Sequence, residues 1–381
     1  MTYRWITDDR SVVELVDRLL AQPRYALDTE FHRERTYFPK LALVQIASAD
    51  ELVLVDPLTC DLSPLRRLFD SDVLAVLHAA QQDLDVLHHA VQAVPRRLFD
   101  TQLAAGFLGQ STPSLVSLLQ SELRVSAAKG DRLTDWLRRP LSDDQCDYAA
   151  ADVAHLLELH DRLSARLAAE GRTDWVEDAC RDLLGKPASG TEPNMAWTRL
   201  KDVRVLKPKA RGVARSVAAW RERRAMANDQ PVRQVLPDLA ILGIAQKQPR
   251  TLQELATARG VDDRHTRGQI GKELLEAVTA GLSMEASLPA PDGEELDRGL
   301  RPAVALVSAW VSEVARQERI DTALLATRAD LVAFLRGDAD ARLAMGWRHG
   351  LLGDGIRRLV AGRAALTFDG RGGLRLIETD A

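Results

Sequence analysis

Val12, Val13, Leu15, Val16, Leu19 and Leu20 recur at helical spacing and predict a helix through about Gln22, capped by Thr7 or Asp8. Three extended apolar runs follow at 24–31, 41–47 and 51–56. Short links join them, and the last two are separated by a Ser-Ala-Asp turn, so the three are predicted to be antiparallel neighbours. Residues 62–70 read as a helix and Val73–His78 as a strand. Helices are expected at 80–91, 101–109 and 114–121. A polar loop with Lys129, Arg132, Asp135 and Trp136 runs from Arg124 to Arg139. One long helix is then predicted from Ser142, its N-cap, to about Ala168. A meander followed by alternating helices and strands implies an α/β domain with a mixed sheet flanked by helices, over residues 1–190.

Residues 185–197 are rich in Pro, Gly and small polar residues and read as a linker. Beyond them the pattern is helical and loosely repeated. Trp220 is followed by Ala225 and Asp238-Leu239, and Trp310 by Ala315 and Asp330-Leu331. Each copy ends in an apolar helix bounded by glycine, Gly271 to Gly281 and Gly353 to Gly362. Pro289–Gly293 reads as a turn between them. Two small all-α domains are expected, over 200–285 and 296–375.

Composition adds limits. A chain of 381 residues suits two or three domains, and 46% hydrophobic with 28% charged residues describes ordered cores. Cys60, Cys146 and Cys180 are widely spaced, which argues against a zinc cluster or a disulfide framework and fits a reducing cytoplasm. The polar N-terminus is unlike a signal peptide, and no apolar run is long enough to predict a membrane span. Net charge is −4 overall, but the stretch Arg199 to Glu285 carries 17 basic and 10 acidic residues, a net of +7 against −11 elsewhere. An acidic part joined to a basic part suits a metal site on one domain and a polyanion surface on another; merely solvated basic helices are the alternative.

The candidate chemistry lies in carboxylates. Asp28 and Glu30 are two apart on a predicted strand and so share one face. Such a pair is either a solvated edge or a shared cation site. Asp83 falls in the first turn of a helix fed by a strand; it could equally be a carboxylate favoured by that helix terminus. Tyr148 and Asp152 are four apart, on one helix face with small alanines between them. Four converging carboxylates would need cations. Two divalent ions would neutralise them, and oxygen ligands favour Mg²⁺ or Mn²⁺.

These motifs, in this order, resemble the ribonuclease D family of the DEDD exonuclease superfamily. The likeness runs through Leu27-Asp28-Thr29-Glu30-Phe31, His78-Ala-Ala-Gln-Gln-Asp83-Leu84 and Tyr148-Ala-Ala-Ala-Asp152-Val153. The two helical copies resemble HRDC domains, nucleic-acid-binding modules, the second more divergent. The resemblance implies an RNase H-like (DnaQ-like) fold and a 3′–5′ exoribonuclease acting on RNA, with tRNA precursors and other structured 3′ ends as substrates. It implies that Asp28, Glu30, Asp83 and Asp152 hold two divalent cations, that Tyr148 orients the attacking water, and that nucleoside 5′-monophosphates are released. Thr29, Phe31 and His78, beside the acids, are candidates to contact the terminal nucleotide, or are core residues. Gln82 is a weaker candidate, and Trp136 an anchor for its loop. Lys207, Lys209, Arg211, Arg215 and Arg221 are candidates to track phosphates. The motifs leave open a DNA exonuclease or a non-catalytic binding scaffold; the intact set of acids and the tyrosine argue against the scaffold. No phosphate-binding loop of the Gly-x-x-x-x-Gly-Lys-Ser/Thr type occurs, which argues against an ATPase. A monomer is expected.

Overall fold

The computed structural model describes residues 2–126, 134–287 and 296–379. Lys129, Arg132 and the Pro289–Gly293 turn lie outside the described residues. The chain divides into two compact units. One comprises Met1–Glu30, Ala42–Lys186 and Ala290–Ala381; the other comprises Phe31–Leu41 and Pro187–Pro289.

The first unit begins with β1 (Arg4–Ile6) and α1 (Asp9–Leu20). Asp8 caps α1 by accepting from the Ser11 N–H at 3.0 Å, one of the two expected caps. Then come β2 (Arg24–His32), β3 (Lys40–Ala47), β4 (Leu52–Val55), α2 (Leu65–Phe69), β5 (Leu74–Leu77), α3 (Gln81–Val91), β6 (Leu98–Asp100), α4 (Thr101–Gly106) and α5 (Leu115–Leu123). The six strands form one mixed sheet, in the order β1-β4-β3-β2-β5-β6. β3 and β4 are antiparallel, as their short turn requires, whereas β1–β4, β2–β5 and β5–β6 are parallel. The strands β1 and β6 have three residues each, too few for a periodic signal, and the sequence reading missed both.

The long helix expected from Ser142 to Ala168 is two helices, α6 (Asp143–Ala154) and α7 (Leu156–Ala169). His155 leaves helical geometry at φ −114° and ψ 5°. The break lets the two halves pack in different places, α6 against β4 and α7 against β5, α4 and α5. Helix α8 (Thr173–Leu184) completes this layer.

In the second unit, the expected linker is partly built into the core. Residues Pro193–Arg199 form a 3-10 turn whose Trp197 is buried with Val213, Val217, Ile241 and Leu274. The helices are α9 (Pro208–Ala227), α10 (Val232–Val235), α11 (Asp238–Lys247), α12 (Leu252–Ala256), α13 (Asp263–Thr266) and α14 (Gly268–Leu282). The segment 31–41 belongs here because α9 and the turn after it hold it. The Tyr37 hydroxyl donates to Glu222 Oε1 at 2.6 Å, and the Tyr37 and Phe38 N–H groups donate to Asp229 Oδ1 at 3.0 Å. Gly212 and Gly281 allow α9 and α14 to touch backbone to backbone. A Cβ on Gly212 would lie 2.0 Å from the Met284 carbonyl oxygen, and one on Gly281 2.5 Å from Val213 Cα.

The chain then returns to the first unit as α15 (Arg301–Glu318), α16 (Thr322–Leu325), α17 (Arg328–Arg336) and α18 (Gly346–Arg348). A π turn, α19 (Asp354–Val360) and the hairpin β7 (Ala364–Phe368) and β8 (Leu374–Glu378) follow. The order long helix, four-residue helix, helix repeats that of α9–α11, in keeping with the sequence repeat; the hairpin was not foreseen. This C-terminal part clusters with the sheet domain instead of standing alone, because aromatic rings bridge the two. Trp347 stacks on Trp175 at 4.6 Å and meets Phe107 edge-on at 5.5 Å. Arg172 ties Phe107 and Glu318 by their carbonyl oxygens, at 2.7 and 2.6 Å.

Gly212→Ala and Gly281→Ala should each destabilise the second unit by about 1–3 kcal/mol, since backbone cannot yield as a side chain can. Denaturant unfolding of each variant against the parent checks this.

Candidate active site

β2 and β5 run parallel in register, Ala26 opposite Val76, so their C-terminal ends finish together. Open α/β sheets place their sites at such ends. Asp28 and Glu30 project from β2 where it runs past the end of β5. β5 turns through His78 to Ala80 and enters α3, which brings in Asp83. Asp100 sets that turn. Its carboxylate accepts from the Ala79 and Ala80 N–H groups at 3.2 and 2.8 Å while capping α4 through Gln102 and Leu103 at 2.8 and 3.2 Å. The turn needs holding, because Ala79 sits at φ 56°, a left-handed conformation that costs energy for a residue with a Cβ.

α6 supplies the other half. Ser142 caps it as expected, in a capping box with Gln145. Its buried face packs Cys146, Ala149 and Ala150 against Ala42, Leu43 and Leu54, which brings Tyr148 and Asp152 to the sheet. Arg139 pins the approach to α6. It pairs with Asp56 through Nε and Nη2 at 2.7 and 2.8 Å and donates to the Ala42 carbonyl at 2.6 Å. Trp136 is buried with its ring 6.1 Å from that of Tyr148, which fits the anchoring role expected of it.

Asp28, Glu30 and Asp152 each offer a carboxylate oxygen, and these lie within 4.8 Å of one another. Asp83 lies outside that trio, yet its charge acts on both Asp28 and Glu30. Its carboxylate is buried and accepts from Thr29 Oγ1 at 2.5 Å. All four acids resist ionisation. Burial first, then the charges of Asp83, Asp152 and Glu30, hold Asp28 well above its ordinary range. Burial and the neighbouring acids push Glu30 up to about 8. Burial raises Asp83 to about 7, against the lowering hydrogen bond from Thr29. Burial raises Asp152 to about 6, opposed by the hydrogen bond from Tyr148. A divalent cation with oxygen ligands fits such a donor set, because it supplies the charge that the acids lack. The Tyr148 hydroxyl is raised too, by burial and then by Asp152, Glu30 and Asp28, so it remains protonated at neutral pH.

The other candidates fare differently. Thr29 is 5% exposed and its hydroxyl is committed to Asp83, so it positions an acid rather than reaching outward. His78 is half-buried, with Nδ1 2.9 Å from Thr101 Oγ1, and burial lowers its pKa. Phe31 is the next-to-last residue of β2, with the Arg33 guanidinium 5.0 Å from its ring centre, and Gln82 is exposed on α3. In the basic set, Lys207 and Lys209 are exposed and Arg215 is half-buried. Arg211 donates to the Arg204 carbonyl at 2.8 Å. Arg221 departs from expectation. It is 4% exposed, pairs with Asp238 at 2.6 Å and donates to the Leu236 carbonyl at 3.0 Å, so it holds α9 to α11 inside the domain. The sequence reading missed Asp100 and Arg139 as supports; Arg139 had entered as the end of a polar loop.

A six-stranded mixed sheet with acids gathered at its carboxyl ends, and helical modules beyond it, defines a 3′–5′ exonuclease of the RNase H-like class with an HRDC domain. A family profile described as 3′–5′ exonuclease matches residues 3–168, and the HRDC domain profile matches 210–278. Ribonuclease D of Gluconacetobacter diazotrophicus is 37% identical over 372 residues, 96% of this chain and 94% of that one. Ribonuclease D of Nitrobacter hamburgensis is 36% identical over 372 residues, 96% and 97% of the two chains. The crystal structure of Escherichia coli RNase D is similar at a TM-score of 0.83 and 30% identity, covering 95% of this chain and 99% of that one. The chain belongs to the ribonuclease D family and is a 3′–5′ exoribonuclease.

The raised carboxylates give a pH signature. Free carboxylates titrate near 4, so between about pH 4 and 8 the folded protein holds more protons than the unfolded chain. Stability in EDTA should therefore fall as pH rises through that window, and a divalent cation should restore it. Asp28→Asn, which removes one repelling charge, should raise the melting temperature in EDTA at pH 8 and reduce the gain from added cation. Thermal melts across pH, with and without cation, check both.

Proposed function

We propose that the protein trims RNA from its 3′ end at the carboxylate cluster, releasing nucleoside 5′-monophosphates. The observation that carries this reading is the meeting of Asp28, Glu30 and Asp152 within 4.8 Å on β2 and α6. In it, Asp28, Glu30, Asp83 and Asp152 hold two divalent cations, Mg²⁺ or Mn²⁺. When bound, such ions activate the attacking water and neutralise charge on the leaving 3′ oxygen.

The chain's own residues do the rest. Thr29 fixes the Asp83 carboxylate by its hydrogen bond, which keeps that acid aimed without filling its remaining oxygen positions. Tyr148 stays protonated, so it serves as a hydrogen-bond donor rather than a base. Its hydroxyl meets Asp152 one turn along α6 and orients the attacking water beside that acid. Phe31 stacks with the terminal nucleotide at the end of β2, and His78 contacts it from the turn before α3.

Lys207, Lys209 and Arg215, with a lesser part for Arg211, track RNA phosphates along α9 and the residue before it, which makes binding salt-dependent. Arg221 is left out of this surface. Residues 1–190 form the exonuclease domain, 200–285 the first HRDC domain and 296–375 a second, HRDC-like one. The substrates are the 3′ ends of tRNA precursors and other structured RNA; the Escherichia coli neighbour is described as an exoribonuclease involved in structured RNA processing, which supports this. The enzyme works as a monomer in the cytoplasm. Among the described residues no helix is long and apolar enough to cross a membrane.

Asp28→Asn and Asp152→Asn should each leave the fold intact and lower hydrolysis at least a hundredfold, about 3 kcal/mol of transition-state stabilisation. Near-parental rates in either would remove the metal role. Tyr148→Phe should lower turnover and spare cation binding. Matched 3′-labelled RNA and DNA, each with Mg²⁺, Mn²⁺ or EDTA, test polarity, sugar preference and metal need together. Release from the 5′ end, or full activity in EDTA, would overturn the proposal.

A further inference from the structure

Beside the turn that enters α3, the first unit contains a cavity of ≈ 710 Å³ where α3, α4 and α8 face α16–α18. Its charge is the reverse of that at the active site. Arg181, Lys186, Arg342 and Arg348 line it, against the two carboxylates Asp100 and Asp182. Asp100 is occupied by four backbone N–H groups. Asp182 is shared with Arg342 at 3.4 Å.

Arg348 is the unusual member. It is 5% exposed, its Nε donates to the Leu324 carbonyl at 3.2 Å and its guanidinium lies 4.1 Å from the centre of the Trp347 ring. Its Nη2 has no hydrogen-bond partner, and no carboxylate among the described residues forms an ion pair with it. A buried guanidinium without a counter-ion is costly. Burial, and then the like charge of Arg342, lower its pKa to about 10. The carboxylates that oppose this, Asp182, Asp330 and Asp178, are already engaged, with Arg342, with Arg342 and the Thr327 cap, and with Arg181.

Lys186 reaches the same cavity from the exit of α8. Its ammonium lies 3.2 Å from Gln81 Oε1, a neutral partner on the first turn of the eleven-residue α3. The positive end of that helix adds to the field. Leu103, Leu183 and Leu324 supply apolar wall. Pockets of roughly 300–1,000 Å³ suit ligands of nucleotide size.

We propose that this cavity binds a phosphate oxyanion carried on a nucleotide-sized ligand, with Arg348 and Lys186 as its charged donors. Bound phosphate supplies the counter-ion that Arg348 lacks and links the sheet domain to the C-terminal helices. The site is separate from the nuclease reading and stands or falls without it.

The test uses the full chain in EDTA, which stops any metal-dependent turnover. Adenosine 5′-monophosphate and inorganic phosphate are titrated by calorimetry and by thermal shift, with chloride at matched ionic strength as control. The parent should bind both saturably. Arg348→Met should weaken binding about tenfold or more, the range for loss of a charged hydrogen-bond partner. Arg348→Lys should recover part of it, and exposed Lys186→Gln should weaken it several-fold. If Arg348→Met fails to fold, the double variant Lys186→Gln with Arg181→Gln decides. No saturable binding beyond chloride, or an unchanged Kd in that double variant, overturns the site. A short RNA distinguishes the source. Weaker RNA binding in the same variants assigns the phosphate to the RNA chain, and unchanged RNA binding with lost monophosphate binding assigns it to a free nucleotide.

Discussion

Mutual repulsion among buried carboxylates is the constraint on which the structure turns. Asp28, Glu30 and Asp152 sit within reach of one ion, with Asp83 held close by Thr29. At effective dielectric constants near 20, unit charges at 4 Å interact by about 4 kcal/mol, so the group would spread apart on a soft scaffold. The chain places it on stiff elements. β2 lies inside the sheet between β3 and β5, and α6 lies across β4 on small side chains. The supports Asp100, Arg139 and Trp136 each fix a connection that delivers an acid or the tyrosine.

Burial raises all four acids, and their neighbours then give each a different character. Glu30 is pushed up to about 8 and Asp152 only to about 6, because Tyr148 relieves the latter with a hydrogen bond. The tyrosine is raised in turn by the acids it faces, which leaves it a proton donor in hydrogen bonds and a poor base. Because the acids keep their protons without a cation, a divalent ion must displace protons to bind, and its binding strengthens as pH rises.

Charge is partitioned at larger scale too. The acidic cluster belongs to a chain that is net negative outside Arg199–Glu285, while the basic stretch builds a helical domain. Basic residues there divide by burial. Lys207 and Lys209 face water, whereas Arg221 spends its charge on Asp238 within the domain. In the first unit the cavity around Arg348 collects cations from α8 and from the C-terminal helices, elements more than a hundred and fifty residues apart in sequence.

Local periodicity was enough to pair the candidate residues, and the motif resemblance joined the pairs into one candidate site. A strand's two-residue repeat puts Asp28 and Glu30 on one face, and a helix's i, i+4 spacing does the same for Tyr148 and Asp152; both are properties of short stretches, readable without a fold. The motif order then tied in Asp83. The hairpin between β3 and β4, the Ser142 cap and the first helical domain were legible for the same reason. What the sequence left undecided were matters of partner choice across long separations. Thr29 and His78 sit beside the acids in sequence, yet one bonds Asp83 and the other Thr101. The helix predicted as one from Ser142 breaks at His155 because its halves pack on different elements. Whether an arginine is surface or core, as with Arg221 and Arg348, depends on what folds over it. That is settled only by tertiary packing, since a charged side chain reads alike in either place until its neighbours are known.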